Sequence, residues 1–308
     1  MHEIPVGFSS QEILLRMKIL AVRHIDDDIR KASSSGGVFH SLASWVLRQG
    51  GKVIGAAYGD TAYEVKHIVV DQMDNLYKLQ KSKYAPSSMS DHGIREVLEG
   101  SMDTWVLFSG TPCQIKAVHN RYGHSQKLIF VEVACHGVPN REAYQTFLKE
   151  NDIVKIDFRC KRNGWKNTEI EMTHSDGSIS YQRSVDNSFY QDYVSGKNLR
   201  KSCFSCPAKY FRSGADFTLA DFWGVESFVP ELNDDNGVSL VFLHTKTARR
   251  IWDEISSSFL SKSVSFYEAI HWNQCIYRPI DSTSTIREAM EEKKYIIKQY
   301  LKRLKLSK

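Results

Sequence analysis

The amino-acid sequence predicts an α/β fold: a mixed, partly parallel sheet flanked by helices, with an appended C-terminal helix. Three observations lead there. Residues 104–108 and 127–133 are apolar runs of strand length, and the segment between them, from about 114 to 122, has helical length. Strand, helix and strand in that compass form a βαβ unit, which needs parallel strands and a right-handed crossover. Finally, 308 residues at 42% hydrophobic content can bury one large core or two moderate ones.

Taken in order, residues 1–27 are mixed, end in Asp26-Asp27-Asp28 and read as a lead-in segment. Ser33-Ser34-Ser35-Gly36-Gly37 then precedes a segment, 38–47, with apolar residues at helical spacing, which the hydroxyls can cap. Gly50-Gly51 closes that helix, residues 52–58 read as a strand, and 67–70 as its antiparallel neighbour. Past the βαβ unit come a helix at 141–150, a strand at 155–159, and a hairpin of 169–172 with 178–181 turned at Asp176-Gly177. Residues 203–221 form a loop with a strand at 217–220; a last strand at 239–243 and a helix at 247–259 follow.

The formal charge of +5 suggests an anionic polymer, but its placement argues against nucleic acid. Residues 293–308 hold seven cations and no acid, leaving −2 for the 292 residues before them. No run approaches the roughly 18–20 apolar residues of a membrane span, so the chain is expected in the cytosol. There, six cysteines are read as thiols or metal ligands rather than disulfides.

Cys113 and Cys135 each lie just past a predicted parallel strand, at the carboxyl edge where open α/β sheets place ligands. Cys203-Phe204-Ser205-Cys206-Pro207 offers two more sulfurs from one loop. On spacing alone this pair suits zinc as well as iron–sulfur, and less well a redox dithiol, since no helix starts at Cys203. Four converging thiolates are what a cubane cluster requires. Cys160 and Cys275 read as small buried hydrophobes.

Seven ordered motifs resemble the beta subunits of coenzyme F420 hydrogenase and dehydrogenase, a superfamily that includes ferredoxin-dependent 7-hydroxymethyl chlorophyll a reductase. They are Ser34-Ser35-Gly36-Gly37, Lys81-Ser82-Lys83-Tyr84, Gly110-Thr111-Pro112-Cys113-Gln114, Cys135-His136-Gly137-Val138-Pro139, the stretch from Phe158 to Trp165, Cys203-Phe204-Ser205-Cys206, and the stretch from Asp216 to Gly224. The resemblance spans roughly residues 28–260 and implies a 4Fe–4S cluster on Cys113, Cys135, Cys203 and Cys206 beside FAD. It also implies a flavin and iron–sulfur oxidoreductase acting on a small organic substrate. Many bacterial relatives lie among surface-polysaccharide genes, which implies that metabolism as the setting.

The expected flavin cradle is Ser34, Ser35, Gly36 and Gly37, whose backbone N–H groups at a helix start suit a pyrophosphate, with Lys81, Ser82, Lys83 and Tyr84. Without the resemblance, the first motif reads as a helix cap and the second as a solvated turn. Arg159, Lys161, Arg162, Trp165, Asp221 and Trp223 are candidates for the substrate side, against strand-edge and core roles; His136 is read as structural or as a proton carrier beside a ligand.

Many relatives begin with a cysteine-rich ferredoxin-like domain, whereas residues 1–112 contain no cysteine. Electrons are therefore expected from a separate donor, such as ferredoxin or a partner subunit. The expected organisation is a lead-in (1–27), a flavin-cradle region (28–100), a cluster-binding region (101–265) and an extension (266–308) with a basic helix opened by Thr285-Ile286-Arg287-Glu288. Two competing readings are a non-catalytic electron-transfer subunit and a structural zinc protein.

Overall fold

The computed structural model describes residues 17–280; the expected basic C-terminal helix lies outside them. Eleven strands among the described residues form two sheets. The larger is eight-stranded and mixed, and is built from β1 (Lys18–His24), β2 (Lys52–Tyr58), β3 (Val65–Val70), β4 (Val106–Gly110), β5 (Leu128–Val133), β9 (Phe217–Asp221), β10 (Ser239–Leu243) and β11 (Phe259–Ser263). Their order across the sheet is β11-β1-β10-β9-β5-β4-β2-β3. A second, antiparallel sheet orders β6 (Ile153–Cys160), β7 (Glu169–His174) and β8 (Ile179–Arg183).

Strands β2, β4, β5 and β9 pair parallel, so their carboxyl ends share one edge. In β4 and β10 every residue is buried, because helices cover both faces. One face packs α1 (Val38–Arg48) and α6 (Lys246–Ile255) through Leu42, Val46, Ile251 and Trp252 onto Leu107, Val131 and Val241. The opposite face carries α2 (His92–Glu99) and α3 (Pro112–Tyr122) through Ile94, Leu98 and Ile115 onto Phe108 and Phe130. The small sheet is backed by α4 (Arg141–Glu150) and α5 (Ser188–Ser195), whose Phe147 and Phe189 rings stack with centroids 4.5 Å apart.

Two elements depart from the sequence reading. Residues 18–24, expected within a lead-in, form β1, an interior strand hydrogen-bonded to both β10 and β11. Lys18 and Arg23 mask it in sequence: Lys18 lies at its exposed end, and Arg23 pairs with Asp234 at a loop. The helix expected at 247–259 stops at Ile255, and Phe259 opens β11, burying its ring against Trp252.

Candidate functional site

At the carboxyl edge lies a cleft of about 810 Å³, within the size range of small-molecule and cofactor sites. It is lined from one side by Ser34, Ser35, Gly37, Lys81, Ser82, Lys83 and Tyr84, and from the other by the turn after β5, where Cys135 and His136 stand. The two expected cradle motifs, some fifty residues apart, meet directly: Ser34 Oγ and Ser82 Oγ are 2.9 Å apart.

The loop of residues 33–37 is anchored rather than loose. Ser35 Oγ donates to Val238 O at 2.9 Å, and Gly36 N donates to Ser239 Oγ at 2.8 Å. Lys161 Nζ ties together Arg30 O (2.7 Å), Ser35 O (3.0 Å) and Asn236 O (2.8 Å). Gly36 faces away from the cleft: a Cβ there would meet Val22 O at 2.5 Å and Ser239 N at 2.8 Å, both backbone. Gly37, at φ +89, caps α1. In the second motif, Lys81 pairs with Asp157, and Lys83 Nζ donates to Gln80 O at 2.5 Å. Burial pushes the Lys83 ammonium down to about 7, against the opposing pull of Asp157. The Tyr84 ring stacks on Tyr193 at 4.8 Å, and burial pushes its phenol upward.

Among the described residues Arg159 is the one fully buried guanidinium lining the cleft, at 1% exposure. It pairs with Asp221 at 3.1 Å and lies 5.0 Å over the Trp223 ring, while its Nε has no hydrogen-bond partner. Trp223 stacks in turn on buried Trp165 at 4.8 Å. Arg162 instead turns outward onto Tyr181 and Glu169. His136 Nε2 is 2.9 Å from Val194 O, and burial lowers its pKa.

The four candidate cysteines come from three segments. Cys113 is exposed in the first turn of α3, with its Sγ 3.3 Å from Thr111 Oγ1. Cys135 lines the cleft. Cys203 Sγ accepts from Val138 N at 3.4 Å, which holds the 203–206 loop against the turn carrying Cys135. Burial pushes the Cys135 thiol up to about 12; Lys209 opposes this, and Cys113 and Cys203 add to it by repulsion. Burial also raises the Cys203 thiol, with repulsion from Cys113 and Cys206 adding to it. These repulsions link Cys135 with Cys113, Cys203 and Cys275, and Cys203 with Cys113 and Cys206, so the candidate thiols lie near one another. Among the described residues no three His, Cys, Asp or Glu converge to hold a single ion.

Several site residues carry no sequence signal of their own. Lys209 is buried and donates from Nζ to the carbonyls of both Cys135 and Cys275, a cation placed beside the sulfur set. Its position three residues after Cys206 was the available hint. Cys275 joins the cleft wall with Trp272, a half-exposed ring seated on Gly224. His67, buried with an unpartnered Nδ1, stacks on Phe108 at 5.5 Å and faces the cleft. Among the described residues no helix is long and apolar enough to cross a membrane.

Two family models match the chain. One describes the N-terminal part of the coenzyme F420 hydrogenase/dehydrogenase beta subunit and matches residues 19–92; the other describes the C terminus of the same family and matches residues 103–263. No curated protein matches. Among solved structures the chain is similar to one from the F420-reducing NiFe hydrogenase complex of Methanosarcina barkeri. The two share 19% identity at a TM-score of 0.55, over 80% of this chain and 81% of that one, which establishes a common fold.

Proposed function

Because the chain belongs to the coenzyme F420 hydrogenase/dehydrogenase beta subunit family, we propose that it is a FAD- and 4Fe–4S-dependent oxidoreductase. It takes electrons from a separate donor protein and delivers them to a small organic substrate, of which surface-polysaccharide precursors are the class its resemblance implies. One observation carries the reading: a single cleft is walled by Ser34, Ser35 and Lys81 to Tyr84 on one side and by Cys135 on the other. Ser34, Ser35, Ser82, Lys83 and the N-terminus of α1 would hold the flavin phosphates. Cys113, Cys135, Cys203 and Cys206 would hold the cluster. When bound, the flavin supplies two-electron chemistry and the cluster a one-electron relay.

The remaining work falls to this chain's own groups. Lys209 compensates negative charge on the sulfur set. Arg159, kept charged by Asp221, fixes an acidic or polarised group in the cleft. Trp223 and Trp272 offer flat apolar surface beyond the cradle. This extra wall favours an enzyme over a subunit without its own substrate.

Anaerobic purification with quantification of iron, sulfide and flavin tests the proposal; about four irons and one FAD per chain are expected. A colourless protein with stoichiometric zinc would overturn it. A flavin- and iron-loaded chain that never turns over with any artificial donor and acceptor would leave the electron-transfer subunit as the reading.

A further inference from the structure

All four candidate cysteines lie in stretches without a single acidic residue. Residues 104–131, 133–141 and 193–215 together hold nine Lys and Arg over 60 residues and no Asp or Glu, where the chain's average would place about seven acids. The fold joins the cysteine-bearing parts of these stretches, while residues 121–127 lie at the opposite edge of the sheet. Lys116 Nζ donates to Arg212 O at 3.3 Å, joining α3 to the segment after Cys206. Arg200 N donates to Val138 O at 2.9 Å, joining the segment before Cys203 to the turn after Cys135. On these joined parts Cys113, Arg200, Lys201 and Arg212 are exposed, as is Tyr210 at 43%. Among the described residues Lys116, Arg200, Lys201 and Arg212 have no carboxylate partner within 4.0 Å.

We propose that this face docks a small acidic electron-carrier protein over the sulfur set. The inference rests on the cluster reading above and assigns its partner. Lys209 already compensates charge from within, so the exposed cations are available to an external anion. They stand on the segments that carry the sulfurs, of which Cys113 is exposed, and the Tyr210 ring is exposed among them. That pattern steers a globular partner and shortens the path to its redox centre. Each encounter would move one electron from the carrier, which would be oxidised, to a cluster held by Cys113, Cys135, Cys203 and Cys206, which would be reduced, with no bond formed or broken.

The test uses the full-length, anaerobically purified protein and a reduced 2Fe–2S ferredoxin in stopped flow. The second-order rate is expected to fall steeply as salt rises, and the K201E/R212E double variant to lose about tenfold at low salt. Its iron content and its rate with reduced methyl viologen, a dication, should be at least those of the wild type. A ferredoxin rate that is flat in salt and within twofold of wild type in the variant would overturn the proposal. So would tighter binding to anionic lipid vesicles or single-stranded DNA than to ferredoxin. If the chain carries no iron, the cluster reading fails by itself. The surface is then judged by calorimetric binding of ferredoxin, which should be present in the wild type and lost in the variant.

Discussion

Replacing Gly36 with alanine isolates the anchoring of the 33–37 loop from its direct role in binding. The added Cβ would sit 2.5 Å from Val22 O and 2.8 Å from Ser239 N, where ordinary contact begins at 3.4 Å. The obstacles are backbone atoms of two interior strands, so the loop must retreat by about 0.9 Å. That retreat stretches three hydrogen bonds of 2.8–2.9 Å beyond useful length: Gly36 N to Ser239 Oγ, Ser35 Oγ to Val238 O, and His24 N to Gly36 O. At about 1 kcal/mol each, the expected loss is roughly 3 kcal/mol, a large part of a typical domain's stability. Urea unfolding followed by circular dichroism should show a lower midpoint at unchanged slope. Flavin retained through gel filtration should fall, because Ser34 and Ser35 move with the loop. Gly100→Ala, with an open site and φ of −79, is the control and should stay within about 0.5 kcal/mol. A Gly36→Ala protein as stable as this control, with full flavin content, would refute the reasoning.

Single alanine substitutions at Cys113, Cys135, Cys203 and Cys206 are expected to abolish or sharply reduce iron content, whereas Cys160→Ala and Cys275→Ala should retain it; iron assay and electron paramagnetic resonance decide. Arg159→Met would leave Asp221 without its 3.1 Å partner and remove the cation over Trp223. It should cost about 1–3 kcal/mol of stability and most of the turnover, with Arg159→Lys recovering stability better than activity. Burial lowers Lys83 and Lys161 to about 7. Because lysine in the unfolded chain titrates near 10.4, the unfolded state binds more protons between about pH 7 and 10. Stability therefore rises with pH in that window, by up to about 1.4 kcal/mol per pH unit for each lysine, and is lowest below it. Lys83→Met should remove about half of that slope between pH 7 and 9 in urea titrations, and an unchanged slope would count against the burial argument.

Read alone, the sequence determined the βαβ unit, since two apolar runs of strand length and a segment of helical length between them agree over residues 104–133; β4 and β5 pair parallel, as that pattern requires. The hairpin turned at Asp176-Gly177 was legible for the same reason, its turn chemistry being local. Seven ordered motifs identified the family, and family models matched over most of the chain. The position of β1 was not legible, because a strand between β10 and β11 depends on pairing partners more than 200 residues away. Nor was the separation of β6, β7 and β8 into their own sheet, which the hydrophobic pattern alone does not dictate.

At the site, residue types spoke from sequence and juxtaposition did not. The cradle motifs could be named as candidates, but only folding brings Ser34 against Ser82 and sets Gly36 against two strand backbones instead of a ligand. Lys209, Cys275, Trp272 and His67 acquire meaning solely from what surrounds them, a buried cation beside sulfur or a ring against a cleft. Periodicity and turn chemistry act between near neighbours and are written in order along the chain. Convergence of distant side chains is set by how the sheet stacks and by which loops leave one edge, and that belongs to the tertiary structure.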